Sequence, residues 1–121
     1  ESVMPAYDRN NVFALILRGE APSRNVYEDE FALAFHNIHP QAPVHVLVVP
    51  KQHVATLNEA RPEDALLLGE LLLAAREVAG KTGIAEGGYR TVLNCNADAG
   101  QTVFHIHLHV LGGRPMRWPP G

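Results

Sequence analysis

Three histidines, His105, His107 and His109, alternate with Ile106, Leu108 and Val110 near the end of the chain. Extended backbone sends successive side chains to opposite faces, so this spacing predicts Ile106, Leu108 and Val110 on a core face. The imidazoles then form a row on the other face, about 7 Å apart. Each ring disfavours protonation of its neighbours, and the row gains nothing for stability. Three readings fit it. It could be the polar outer face of a half-buried sheet, although three histidines in strict alternation exceed what that requires. It could be a zinc site, because His-x-His on a strand can chelate, but no carboxylate or further cysteine stands nearby. The third reading is phosphoryl chemistry, and it is the one favoured. A neutral imidazole is a good nucleophile, and a protonated one stabilises phosphate oxygens. Just before the row, Gly100-Gln101-Thr102 offers backbone N–H groups, an amide and a hydroxyl. No phosphate-binding loop or magnesium-type carboxylate cluster occurs, so no metal and no cofactor are expected.

The elements that must position these groups can be read from periodicity and turn residues. Val12–Leu17 is an apolar run preceded by Asn11, a good N-cap, which favours a short helix ended by Gly19 and Pro22. Asn25–Glu28 and Phe31–His36 read as two strands joined tightly through Glu28-Asp29-Glu30. A proline-bounded loop, Asn37–Pro43, leads to a strand over His45–Val49. Pro62-Glu63-Asp64 opens the one long helix, whose Leu67, Leu71, Ala74, Ala75 and Val78 recur at helical spacing and should cover a sheet. Tyr89–Leu93 is a further strand, Asn94–Gln101 a polar loop, and Thr102–Leu111 the last strand. This order is α+β with a mainly antiparallel sheet. Residues 1–11 are expected to be loose, and residues 12–121 to form one domain with an extended tail over 112–121.

Composition narrows the function classes. The chain has 121 residues, 46% hydrophobic and 19% charged, an ordinary globular mix for a single domain. Ten Lys+Arg against thirteen Asp+Glu leave no basic excess, so a nucleic-acid partner is not expected. No apolar run approaches the roughly 20 residues of a membrane span, and no signal-like segment is recognisable. The single cysteine, Cys95, precludes an intrachain disulfide and fits a reducing, cytoplasmic setting.

His105-Ile106-His107-Leu108-His109-Val110 resembles the His-x-His-x-His-x motif of the histidine-triad (HIT) superfamily. Leu111-Gly112-Gly113-Arg114-Pro115 and the ending Trp118-Pro119-Pro120-Gly121 are similar to its HINT branch, the purine nucleoside phosphoramidases. Phe35-His36-Asn37-Ile38, Pro40-Gln41-Ala42-Pro43-Val44-His45 and Gly88-Tyr89-Arg90 resemble the family too, so the likeness runs from Val12-Phe13 to the C-terminus. The resemblance implies an α+β fold with a five-stranded, mainly antiparallel sheet, one long and one short helix, and a homodimer. It implies hydrolysis of purine nucleoside 5′-phosphoramidates, such as adenylated lysine, through a covalent nucleotidyl-histidine.

By the same resemblance His107 is the nucleophile and His109 a phosphate ligand, while His105 and His45 shape the proton network. Asn94 and Thr102 match positions near the phosphate and leaving group, with the Gln101-Thr102 backbone holding the phosphate. Val12, Phe13, Ile16, Phe35, His36 and Ile38 match the walls around base and ribose. Trp118 matches a tail residue that packs at the dimer interface and reaches the partner's site. Asn37 departs from the usual HINT aspartate that receives the ribose hydroxyls, and there it resembles the dinucleoside-polyphosphate-hydrolase branch, as does Gly100–Val103. That branch gives a second expectation with the same nucleophile. A nucleotide-binding interaction protein with negligible turnover is a third. His39 reads as a solvated loop residue, and His53 as structural.

Overall fold

The computed structural model describes residues 7–121. Asn11 caps α1 (Val12–Leu17), its side chain accepting from the Ala14 N–H at 2.9 Å. The sheet strands are β1 (Asn25–Glu28), β2 (Ala32–His36), β3 (Val44–Pro50), β4 (Tyr89–Val92) and β5 (Leu108–Gly112), in the order β1-β2-β3-β5-β4 with every neighbouring pair antiparallel. The β1–β2 connection is held by the Asp29 carboxylate, which accepts from Phe31 N–H and Ala32 N–H at 2.8 Å each. α2 (Ala65–Lys81) follows a 3-10 turn over Pro62–Asp64, so the regular helix begins three residues later than the proline suggests. The Asp64 carboxylate accepts from Arg61 N–H at 2.9 Å and closes that entry.

The predicted helical stripe is the one that packs. Leu71, Ala74, Ala75 and Val78 lie against Ala32, Ala34, Val46, Val48, Leu108 and Val110. Alanines on both surfaces let helix and sheet approach closely. Truncating Leu71 to alanine there is expected to cost about 2–5 kcal/mol. The opposite face of the sheet carries Leu33, Phe35, Leu47 and Val49 against Phe13 of α1. β3 is buried on both faces, which explains the apolar run over Val46–Pro50.

One expectation changes. The last strand does not begin at Thr102: ladder pairing starts at Leu108, and Val103–His105 bend. The alternation nevertheless continues from Ile106, which is buried with Val54 and Leu67. From Tyr7 onward the N-terminal segment makes defined contacts. Asn11 N–H donates to the Asp8 carbonyl at 3.2 Å, and the Tyr7 ring stacks on His53 with centroids 4.5 Å apart. Residues 1–6 of that segment lie outside the described residues. No described helix is long and apolar enough to cross a membrane.

Candidate active site

A cleft of about 530 Å3 opens on the sheet face away from α2. The first turns of α1 supply one wall, with Val12, Phe13 and Ile16. Phe35 and His36 end β2 on the floor, and Asn37 and Ile38 continue from them at the rim. Thr102, His107 and His109 approach from the β5 side. The walls are thus mainly apolar with a few polar groups at one end, as a flat aromatic ligand with a polar appendage requires. Among the described residues, no aspartate or glutamate lines the cleft.

The hydrogen bonds assign the tautomers. A carbonyl oxygen only accepts, so the 2.8 Å contact between His107 Nδ1 and the His105 carbonyl places the His107 proton on Nδ1. Nε2 of His107 then carries the lone pair. It has no partner among the described residues, and no buried side-chain nitrogen there is left unsatisfied, so it is open to the cleft. Phe13 stands edge-on to the ring at a centroid distance of 4.9 Å.

A second chain sets His109. The Gln41 N–H donates to His45 Nδ1 at 3.0 Å, so the His45 proton resides on Nε2. That Nε2–H donates to His109 Nδ1 at 2.9 Å. The proton of neutral His109 is therefore on Nε2, the nitrogen left for a ligand. His107 and His109 lie with ring centroids 5.1 Å apart, one offering a lone pair and the other an N–H. Burial pushes the proton affinity of His107 and His45 below the ordinary histidine value. His109 is pushed down to about 4, by burial first and then by the neighbouring His107 and His45. His45, His107 and His109 are therefore neutral imidazoles at pH 7. An arriving phosphate would raise the proton affinity of His109.

His105 corrects the picture of three imidazoles in one row. Its ring is fully buried and does not line the cleft. The bend at Val103–His105 turns it inward, where Nε2–H donates to the Pro50 carbonyl at 2.8 Å and Nδ1 accepts from the Tyr7 hydroxyl. Its backbone carbonyl, not its imidazole, touches His107.

Gln101 is likewise removed from the cleft. Its buried amide donates to the Ala55 and Val103 carbonyls at 2.9 and 3.1 Å and accepts from Asn96 N–H, bracing the loop that carries Thr102. The Gln101 N–H is used by the Asn96 carbonyl. Asn94 does not line the cleft either. His45 is 4% exposed and meets the cleft indirectly, through His109 and Asn37. Trp118 is 81% exposed, with the Arg90 guanidinium 5.7 Å from its ring centre.

Several lining residues were missed. Pro22, Ser23 and Arg24 flank the cleft because β1 pairs with β2, which lays the residues before β1 beside those after β2. The His36 N–H donates to the Arg24 carbonyl at 3.0 Å. The hairpin read from the sequence contained that signal. Leu47 enters as the register partner of His109, a β3–β5 pairing that no local pattern announces. His39, read as a solvated loop residue, stands at the rim; its N–H donates to Asn37 Oδ1 at 2.8 Å. Among the described residues, no three His, Cys, Asp or Glu side chains converge as a metal-ligand set.

Comparison with known proteins gives the site a context. The HIT domain family matches residues 18–116. An uncharacterised HIT-like protein of Synechocystis is 54% identical over 112 residues, 93% of this chain and 97% of that protein. The purine nucleoside phosphoramidase of Escherichia coli K12 is 45% identical over 105 residues, 87% of this chain and 88% of that enzyme. The crystal structure of a HIT family hydrolase from Legionella pneumophila superposes with a TM-score of 0.90 at 50% identity, covering 93% of this chain and all of that one.

Proposed function

Given that the chain belongs to the HIT family and is a hydrolase of that family, we propose that it hydrolyses purine nucleoside 5′-phosphoramidates to the nucleoside monophosphate and a free amine. The observation that carries this reading is the tautomer assignment at the cleft. His107 has an accessible Nε2 lone pair, and His109 beside it has an Nε2–H. The 45% identity to the E. coli phosphoramidase supports the substrate class.

In the first step the His107 Nε2 lone pair attacks phosphorus and the P–N bond to the amine breaks. The leaving nitrogen takes a proton from solvent water and a nucleotidyl-His107 remains. In the second step a water oxygen attacks phosphorus, the bond to Nε2 breaks, and the proton released from water replaces the one taken by the amine. One water is consumed overall. The His109 N–H would hold a non-bridging phosphate oxygen throughout, and dividing the displacement in two lowers each barrier. The base would lie between Phe13, Ile16 and Phe35, with the ribose toward Asn37.

We also propose that the active form is a cytoplasmic homodimer. In support, Leu66, Leu72 and Leu73 are exposed on α2, Trp118 is exposed on the tail, and β4 is an open sheet edge. A second reading, hydrolysis of dinucleoside polyphosphates by the same nucleophile, draws support from the uncharged Asn37 at the ribose end.

The test is release of AMP from a fluorogenic adenosine 5′-phosphoramidate, run beside a dinucleoside triphosphate. Faster turnover of the phosphoramidate is expected. Preference for the dinucleotide would transfer the assignment to the second reading. Tight AMP binding with negligible turnover of either would make the protein a nucleotide-binding interaction module.

A further inference from the structure

His105 sits on the segment that carries the nucleophile, just outside the β5 ladder, with Ile106 buried beside Val54 and Leu67. Thr102–His107 precede the β5 ladder, and their backbone is tethered chiefly by Ile106 N–H to the Val54 carbonyl at 2.7 Å and by the Gln101 amide to Val103. The His105 carbonyl that orients His107 lies between these tethers. The further anchor is the His105 ring, and it is pinned from two sides. Pro50, at the end of β3, takes the Nε2–H, and the Tyr7 hydroxyl reaches Nδ1.

The donor direction is determined. Because the Pro50 carbonyl only accepts, His105 Nε2 carries the proton, and Nδ1 presents a lone pair to the tyrosine O–H. Burial raises the Tyr7 proton affinity above its ordinary value, so the hydroxyl remains a donor. The same ring stacks on His53 at 4.5 Å with planes 13° apart, and it meets His105 edge-on at 5.6 Å. Tyr7 thus closes the buried side of the triad from a segment outside the sheet and helices. Without its hydroxyl, His105 Nδ1 would be a buried acceptor lacking a donor, able to regain a partner only by rotating or by taking up a proton.

We propose that Tyr7 is a positioning residue for the proposed hydrolysis, holding His105 as the neutral Nε2–H tautomer and thereby the carbonyl that fixes the Nδ1–H of His107. This rests on the nucleophile assigned above, but its test does not depend on turnover alone. Tyr7→Phe keeps the ring and its stacking surface and removes only the O–H. With an adenosine 5′-phosphoramidate, kcat is expected to fall about tenfold, with KM and the Kd for AMP within about twofold of wild type. The acidic limb of the kcat profile should move to higher pH, since His105 loses the donor that opposed its protonation.

Nitrogen-15 NMR of the imidazoles supplies the independent readout. The His107 signals should move from a single Nδ1–H tautomer toward a mixture in Tyr7→Phe, and further in Tyr7→Ala. Unchanged His107 signals in both variants would overturn the proposal. So would altered signals with wild-type kcat and pH profile. If the wild-type protein turns over no phosphoramidate, the functional reading fails while the His107 tautomer ratio still decides the role of Tyr7.

Discussion

His107 donates its Nδ1–H to the carbonyl of His105 across 2.8 Å, a bond between residues two apart that decides which nitrogen of His107 can act. The same contact separates the roles of two histidines that look equivalent in the sequence. One presents an imidazole to the cleft, and the other presents a backbone oxygen from a buried position.

His107→Ala removes the proposed nucleophile without disturbing the apolar walls. Turnover of an adenosine phosphoramidate is expected to fall by roughly 10³-fold or more, since the Nε2 lone pair that forms the covalent intermediate is lost. AMP affinity should stay within about threefold, because a lost imidazole contact is minor beside base burial. Mass spectrometry of rapidly quenched wild type should detect the nucleotidyl adduct and find none in the variant. Full activity of His107→Ala would overturn the mechanism.

His45 acts at one remove, through His109. Its Nε2–H donates to His109 Nδ1 at 2.9 Å, so His45→Ala frees His109 to exchange tautomers and lets it point a lone pair at the phosphate. A loss of about tenfold or more in kcat/KM is expected. Single-turnover kinetics should place the loss in formation of the adduct. An unaltered rate would show that the His109 tautomer is not set by His45.

At the proposed ribose end, Asn37 Nδ2 lies 3.4 Å from His45 Nε2, and its Oδ1 is occupied by the His39 N–H at 2.8 Å. Asn37→Asp places a carboxylate there. It should bind ribose hydroxyls more strongly, lowering KM for adenosine substrates by roughly five-fold. The negative charge should also raise the proton affinity of His45 and move the acidic limb of the activity profile to higher pH. Steady-state kinetics from pH 5 to 8 checks both directions together. A KM unaffected by the carboxylate would mean that the ribose does not reach this residue.

Folding stability should carry the imprint of the buried imidazoles. His105 and His109 are pushed down to about 4 from an ordinary 6.5, chiefly by burial. Between those limits the unfolded chain binds more protons than the folded one. The stabilisation is therefore complete above about pH 6.5 and is lost as pH falls toward 4. For His105, which is fully buried, this amounts to about 3 kcal/mol. The lowered carboxyl groups of Asp29 and Asp64 act only below their ordinary value of 3.8, so the window from 6.5 to 4.5 belongs to the histidines. Urea midpoints at pH 7.5, 6.0 and 4.5 should fall in that order, and a constant midpoint would contradict the burial of neutral imidazoles.

Much of the fold was legible because its cues are local. Asn11 before an apolar run marks a cap, Leu71, Ala74, Ala75 and Val78 mark a helical stripe, and Ile106, Leu108 and Val110 mark a period of two. Each reflects backbone geometry that neighbouring residues determine among themselves. The same period placed His107 and His109 on one face, and the motif around them carried the family. Tertiary structure decided the rest, since it depends on residues distant in the chain. Whether His105 joins its neighbours or turns inward is settled by the Pro50 carbonyl and the Tyr7 hydroxyl, 55 and 98 residues away. Arg24 and Leu47 border the cleft through strand pairing, and the proton on His109 is placed by Gln41 through His45. A sequence period specifies which way a side chain leaves the backbone. Only packing against remote segments specifies what it meets there, and for an imidazole that partner decides which nitrogen holds the proton.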